Sequence, residues 1–178
     1  AEYVSRMKKN QKEIYYVPGE SVLKARQLPV VETLLDAEYE VLIFMDDIDE
    51  FAIKIMNSYE DKEFKAANQS DLELDESKKE ILEKLTEDNR TLIEKLSDAL
   101  KEKVSDVRLT SRLKTHPVCL VSGEGLSFEM EKVLAMNPDA SQRLKAERIL
   151  EINPDHPLFE TLQKVKEDRI ADYASLLY

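Results

Sequence analysis

One short segment restricts the possible folds of this chain more than any other. Residues 39–45 (YEVLIFM) are almost entirely apolar, and an acidic segment begins directly after them. Such a run is typical of a strand whose two faces are both covered, as in the parallel sheets of α/β proteins. The run therefore predicts a core strand in a layered α/β structure.

The segments before this strand supply other elements of such a layer. Residues 14–17 are β-branched and aromatic and are followed by Pro18 and Gly19, which indicates a strand that ends in a turn. Ser21 can cap a helix, which has to end before Pro29. Proline suits the first turn of a second short helix that would begin there.

A helix and a further strand are predicted after the apolar run. Asp47 and Glu50 have the spacing of a capping box at a helix start. The apolar stripe expected behind this cap consists of Ile48, Phe51, Ala52, Ile55, Met56 and Tyr59. Residues 63–67 predict a short strand. The order strand, helices, strand, helix and strand predicts a small α/β layer with a short, mostly parallel sheet.

A polar break separates this layer from the rest of the chain. Residues 68–76 are acidic and rich in turn formers, and we place a domain boundary at their end. Residues 76–103 repeat apolar side chains at helical spacing through dense charge, which predicts one long amphipathic helix. The two predicted domains are therefore residues 1–75 and 76–178.

The second domain is predicted to mix helices and strands. Residues 104–113 and 118–122 indicate two strands joined by a turn, and a helix over 126–136 and a strand over 148–152 follow. Two more helices close the chain, and the last is still running at Tyr178, so we expect the chain to be part of a longer protein. The predicted fold class is α/β (α+β).

Composition and charge exclude several classes of partner. Lys and Arg total 26 against 37 Asp and Glu, a net charge of -11, so the surface should repel nucleic acid. The apolar runs are far shorter than the roughly 20 residues of a membrane helix. Three glycines allow no phosphate-binding loop, and one cysteine allows no internal disulfide. We predict a cytoplasmic protein without nucleic-acid or membrane partners and without a nucleotide site on these residues.

The acidic run after the apolar strand could indicate an enzyme. Phosphoryl-transfer folds place magnesium-binding carboxylates at such a strand end, and Asp47 and Asp49 have the spacing of a phosphorylated aspartate and its acid partner. Carboxylates at a helix start more often cap the helix and complement its dipole. Since later strands supply no matching Lys or Ser/Thr motif, we favour the capping role.

Cys119 and the two histidines carry no recognisable metal site. His116 and His156 stand beside prolines and do not have zinc-ligand spacing with Cys119. The cysteine lies between Val118 and Leu120, as expected of a small apolar residue in a buried strand. No metal ligands and no catalytic residues are therefore predicted.

The helix predicted over residues 126–136 is the segment most informative about function. Four apolar side chains share one of its faces: Leu126, Met130, Val133 and Leu134. Phe128 and Ala135 lie nearly opposite. One apolar face suffices to dock a helix, so the second requires a neighbouring subunit, a client chain or more core. We predict that the four form an exposed patch that binds unfolded chains, with burial of both faces as the alternative.

Six motifs along the chain resemble the ninety-kilodalton heat-shock chaperone family, and within it the bacterial branch. Three resemble the end of the family's middle domain: residues 2–7 (EYVSRM), 11–21 (QKEIYYVPGES) and 39–51 (YEVLIFMDDIDEF). Three resemble its C-terminal domain: residues 107–113 (VRLTSRL), 128–134 (FEMEKVL) and 149–158 (ILEINPDHPL). The motifs follow the family's order over essentially the whole chain. Pro18 departs from the family pattern, where a small or polar residue is expected.

The resemblance implies an ATP-driven homodimeric chaperone that binds unfolded or partly folded clients. Its nucleotide-binding domain and the middle-domain arginine used in hydrolysis lie upstream of the residues matched here. ATP and magnesium are therefore expected as cofactors of the parent protein, and no cofactor is expected on this chain.

The resemblance also implies two interaction sites. The family's client-contacting helix falls on residues 126–136, and its inward apolar positions match the same four residues as the helical wheel. The family's dimerisation helix falls on the end of the chain, with apolar positions at Ile170, Tyr173, Leu176 and Leu177. Because the family pairs this helix with one beyond Tyr178, we expect the chain to be a monomer or a weak dimer. The competing classes are a magnesium-dependent phosphoryl-transfer domain and an inert α/β scaffold.

Overall fold

The computed structural model describes residues 1–9, 11–46, 48–69, 78–136 and 144–178. Its helices and strands are, in chain order, α1 Glu2–Arg6, β1 Glu13–Pro18, α2 Val22–Arg26, α3 Pro29–Asp36, β2 Leu42–Phe44, α4 Asp49–Met56, β3 Ser58–Tyr59, β4 Lys62–Ala66, α5 Lys79–Asp88, α6 Arg90–Leu100, β5 Asp106–Leu109, β6 Val118–Ser122, α7 Phe128–Ala135, β7 Arg148–Ile152, α8 Pro157–Gln163 and α9 Ile170–Leu177.

Backbone contacts divide the chain into two compact units. The first combines Ala1–Leu72 with Glu124–Ala146, and the second combines Glu73–Gly123 with Glu147–Tyr178. The predicted boundary after residue 75 lies in residues 70–77, outside the described residues. The helix α7 belongs to the first unit, although the sequence analysis grouped it with the second predicted domain.

The predicted fold class is confirmed. The sheet of the first unit has the order β2-β1-β4-β3, with β1 parallel to β2 and to β4 and only the short β3 antiparallel. This is the short, mostly parallel sheet expected from the sequence. None of the helices in the described ranges has the length and apolar content needed to cross a membrane.

The apolar run 39–45 is not the doubly covered core strand that was predicted. Strand β2 spans three of its residues, all half-buried, because β2 lies at the edge of the sheet with β1 as its neighbour. The fully buried strand is β1, whose side chains from Ile14 onward are covered. Tyr39 instead packs edge-on against Tyr15, with ring centroids 5.2 Å apart.

The face of α4 that points inward also differs from the predicted stripe. Ile48, Ile55 and Met56 are exposed, whereas Glu50 and Ile53 are buried. Ile53 packs with Tyr16 and Ala66 of the sheet. The predicted inward face was wrong because an apolar pattern counts every glutamate as a surface residue. Glu50 is buried because it has a buried hydrogen-bond partner, which is described below.

The second unit corrects two further predictions. The first predicted strand, residues 104–113, is shorter, at Asp106–Leu109, and the sheet order β5-β7-β6 puts β7 between it and β6. Strand β7 runs parallel to β5 and antiparallel to β6. The predicted long helix is two helices, because the chain leaves helical geometry at Asn89, whose side-chain amide donates to the Leu85 carbonyl at 2.8 Å.

Helices α6, α8 and α9 form one core with this sheet. The buried residues of the core are Leu96, Leu100, Val104, Val107, Leu109, Leu150, Ile152, Phe159, Leu162, Ile170 and Ala174. Side chains that pack on its edge, such as Leu92, Tyr173 and Leu177, extend it. At about 25 cal/mol per Å² of apolar surface removed from water, burial of this kind is the main stabilising contribution to the unit.

Candidate functional site

Helix α7 begins at a well-formed cap. Ser127 has extended backbone geometry, with φ -78° and ψ 164°, and its hydroxyl accepts the Met130 N–H at 3.1 Å. Glu129 and Glu131 lie in the first turn, where negative charge complements the helix dipole. The sequence therefore specifies this helix start through its capping serine and two carboxylates.

The four predicted site residues differ in position and burial, because α7 begins at Phe128 and leaves Leu126 before the Ser127 cap. Met130 is only 9% exposed, so the prediction that all four are exposed is wrong at this position. Leu126, Val133 and Leu134 are half-buried. The helix turns Met130 into the unit and leaves part of the other three side chains accessible. Neither the fully exposed patch nor complete burial of both faces describes this arrangement, and a role in client binding stays a prediction.

Polar contacts attach α7 and the residues before it to the rest of the first unit. Lys54 of α4 donates to the Gly125 carbonyl at 2.5 Å, and Lys132 pairs with Glu20 at 2.7 Å. The Gln69 amide donates to the Glu124 carbonyl over a longer 3.4 Å. These contacts explain why residues 124–146 belong to the first unit, which hydrophobic periodicity could not indicate.

The most buried of these contacts joins α4 to the cap of α7. The Ser127 hydroxyl donates to Oε2 of Glu50 at 2.5 Å, and both residues are buried. Oε1 of Glu50 has no hydrogen-bond partner within the described part of the chain. Burial raises the pKa of the Glu50 carboxyl, as does the charge of Glu129, whereas the Ser127 bond and Lys54 lower it. The sequence analysis missed this contact and assigned Glu50 to a capping box.

The acidic run shows no arrangement suited to phosphoryl transfer in the described residues. Asp47 lies outside them, so neither its capping role nor a catalytic one can be assigned to a contact. Asp49 is half-buried, and its carboxylate accepts the Asp46 backbone N–H over 3.4 Å. No cluster of three or more His, Cys, Asp or Glu side chains that could hold a metal ion occurs among the described positions.

The predicted dimerisation residues on α9 divide into two groups. Ile170 belongs to the core of the second unit, and Tyr173 and Leu177 pack against that core. Leu176 is 82% exposed. The helix therefore already uses most of its apolar face within its own unit, and Leu176 is the one of the four that is free to contact another chain.

A buried ion network lies at the centre of the second sheet. Glu151 of β7 is 1% exposed. Its Oε1 accepts hydrogen bonds from Arg108 and its Oε2 from Arg112, and the shortest N–O distance is 2.6 Å in each pair. Burial first, and then the charge of Glu151, raise the pKa of the neighbouring Cys119 thiol to about 11. Cys119 is therefore a protonated, half-buried thiol at neutral pH, without the activation that a nucleophile needs.

The histidines also have structural roles. His156 caps α8 by accepting the Leu158 N–H at 3.1 Å on Nδ1. The carbonyl of His116 accepts a bond from the buried Asn153 amide. Asn153 and Glu151 both belong to the motif 149–158, so this motif organises the sheet and the loop beside it.

A family comparison identifies the class of protein to which these elements belong. The sequence model of the family described as "Hsp90 protein" matches residues 1–178. The chain belongs to the Hsp90 family. The resemblance inferred from six short motifs is therefore confirmed over the whole chain.

Curated relatives place the chain near bacterial members of the Hsp90 family. It is 49% identical over 180 residues to "Chaperone protein HtpG" of Clostridium acetobutylicum, covering 99% of the chain and 28% of that protein. It is 45% identical over 181 residues to the protein of that name from Shouchella clausii, and 46% identical over 182 residues to that of Bacillus subtilis, covering 29% of each. These two matches cover 100% and 99% of this chain. It thus spans less than a third of the length of these relatives.

Proposed function

We propose that this chain is part of an ATP-dependent molecular chaperone and that it binds unfolded or partly folded client proteins through α7. The observation that carries this proposal is the accessible part of Val133 and Leu134 on α7, and of Leu126 directly before its cap, in the first unit. Partly exposed apolar side chains on a fixed helix can bind extended apolar segments of varied sequence. Met136, 66% exposed, extends the apolar surface beyond the end of the helix.

The same proposal assigns the chemistry of the chaperone to other parts of the protein. The relatives named above are chaperones about three and a half times as long as the match, as the 28% coverage indicates. We assign ATP, magnesium and hydrolysis to upstream domains and no cofactor to these residues. Residues 1–75 would be the end of the middle domain and 76–178 most of the C-terminal domain, in a cytoplasmic protein. Homodimerisation would involve α9, with Leu176 as its exposed apolar contact.

The test is a pair of charged substitutions on α7. Val133→Asp combined with Leu134→Asp would require two carboxylates to be desolvated where apolar contacts formed before. We expect the affinity of the chain for a fluorescently labelled, permanently unfolded model protein to fall by about tenfold to a hundredfold, as loss of one or two buried apolar side chains implies. Fluorescence anisotropy measures the affinity, and a melting curve on the same sample monitors folding.

A matched control separates client binding from a general loss of exposed apolar surface. Ile81 on α5 is 62% exposed and belongs to the second unit. Ile81→Asp should leave both the affinity and the melting temperature unchanged. Equal loss of affinity in this control, or unchanged affinity in the α7 variant, would contradict the proposal.

A further inference from the structure

The contact between Glu50 and Ser127 does more than connect two helices. The hydroxyl of Ser127 has one proton, and it donates that proton to Glu50 while accepting the Met130 N–H. The carboxylate thus fixes the rotation of the hydroxyl and presents its lone pairs to the first turn of α7. Because both residues are buried, water cannot easily replace either partner.

Glu50 is poorly placed to contact a client itself. It lines a cleft of about 40 Å³ together with Phe44 and Glu129, among others. A volume of this size holds at most a few water molecules. A client side chain is larger, so Glu50 is not expected to contact a client through this cleft.

The lysines near Glu50 already contact other groups, and the acidic side chains near it carry the same negative charge as its carboxylate. Lys54 comes from the same helix and donates to the Gly125 carbonyl, and Lys132 of α7 is paired with Glu20. Glu129 of α7 and Asp46 before α4 add negative charge at the cleft. No cation in the described surroundings approaches Glu50 within ion-pair distance, which leaves the Ser127 hydroxyl as its hydrogen-bond donor.

We propose that Glu50 is a positioning residue for client binding: its buried carboxyl holds Ser127 and thereby fixes the start of the helix that carries Val133 and Leu134 and follows directly on Leu126. This inference rests on the proposed function, because it assigns a purpose to the orientation of α7. Without the carboxyl, Ser127 would rotate among several hydroxyl orientations, and the first turn of α7 would fray. The apolar face would then no longer be presented in one geometry.

Hydrogen exchange on two variants of Glu50 tests this directly. Glu50→Ala removes the acceptor, and we expect exchange at the Met130 and Glu131 amides to accelerate by about tenfold to a hundredfold, the factor expected for a lost hydrogen bond to a charged group. Glu50→Gln retains a carbonyl acceptor for Ser127. Exchange in this variant should accelerate less than in Glu50→Ala, by about fivefold, because a hydrogen bond to a neutral acceptor contributes about 1 kcal/mol less than one to a charged group. Such partial rescue is not expected if Glu50 acts through its charge alone, and the Ser127 variant described next distinguishes the hydrogen bond from space filling.

Two more variants make the test specific. Ser127→Ala removes the same contact from the other side, so its effect and that of Glu50→Ala should not add in the double variant. Glu20→Ala removes another carboxylate that contacts α7, at an ion pair whose side chains are about half exposed, and should change exchange little. Ser127→Ala also provides the measurement if Glu50→Ala does not fold.

The outcomes distinguish this inference from the proposed function. Faster exchange confined to α7, partly restored by Gln and accompanied by weaker binding of the unfolded model protein, supports both. Faster exchange confined to α7 with unchanged binding would overturn the role of Glu50 in client binding but leave the proposed function standing, which the charged α7 variant tests separately. Unchanged exchange in α7, or equally faster exchange in β1 and α3, would overturn the positioning role of Glu50.

Discussion

The buried ion network of the second unit makes a quantitative prediction about stability. Glu151→Gln keeps the shape of the side chain but places an amide nitrogen against one of the two guanidinium groups that the carboxylate now binds. Arg112 and Glu151 are 4% and 1% exposed at the side chain, so water can compensate little for the loss. Removing one partner of a buried pair costs about 3 to 5 kcal/mol.

The exposure of Arg108 sets the expected value within that range. Its side chain is 35% exposed, so its bond to Glu151 is partly screened and contributes less than that of Arg112. We therefore expect a loss near the lower end, about 3 kcal/mol, which is a large share of the roughly 5 to 15 kcal/mol that stabilises a typical domain.

Urea unfolding measures this loss. Circular dichroism follows the transition, and hydrogen exchange at the β7 amides assigns it to the second unit. Asp172→Asn is the matched control, because the Arg169–Asp172 pair has a similar length of 2.7 Å but side chains 61% and 62% exposed. Its loss should be below about 1 kcal/mol. A loss below about 1 kcal/mol for Glu151→Gln would refute the view that the network depends on its buried carboxylate.

Two further predictions concern Cys119 and α9. Because the pKa of the Cys119 thiol is raised to about 11, its alkylation by iodoacetamide at pH 8 should be roughly a hundredfold slower in the folded chain than in urea. This factor is the reduction in the thiolate fraction that the shift implies. Equal alkylation rates, measured by mass spectrometry, would contradict the prediction. For α9, sedimentation should show a monomer or weak dimer. Leu176→Asp should abolish any self-association without lowering the melting temperature, because Leu176 is 82% exposed. A dimer that survives this substitution would exclude Leu176 from the interface.

The sequence predicted the order of elements better than their burial. Strand β7 was predicted as residues 148–152 and the structure has it at Arg148–Ile152, because its apolar residues are bounded by clear turn signals. Pairing was not predicted: β5 and β6 follow each other in the chain, yet both pair with β7, which depends on residues far apart in the chain. Local patterns predict a strand but do not specify its neighbours.

At the candidate site, too, the local sequence pattern predicted the helix, whereas the contacts with distant parts of the chain could not be predicted. A helical wheel correctly placed Met130, Val133 and Leu134 on a common helix, whereas Leu126 lies before the Ser127 cap, and only the packed structure separates the buried Met130 from the accessible others. Glu50 and Ser127 are 77 residues apart, and nothing in either local segment indicates that they meet. The available signal was that Glu50 lies three residues before Ile53 and so on the same face of α4. That position indicates a buried carboxylate only if a hydrogen-bond donor is known, and the donor, Ser127, lies elsewhere in the chain.

The motifs by which the family was first inferred include residues that maintain the structure of the second unit. Arg108 and Arg112 lie in the segment VRLTSRL, and Glu151 and Asn153 lie in ILEINPDHPL, where they form the ion network and hold the loop before β6. A buried carboxylate between two guanidinium groups admits few substitutions, because each change leaves charge uncompensated in a medium that solvates it poorly. The accessible face of α7 carries no such constraint, since apolar residues of similar size can replace one another on a surface that binds varied segments. The ion-network motifs of the second unit therefore identify the fold, whereas Val133 and Leu134, which lie in the motif FEMEKVL and are proposed to bind clients, are distinguished by their partial exposure on α7.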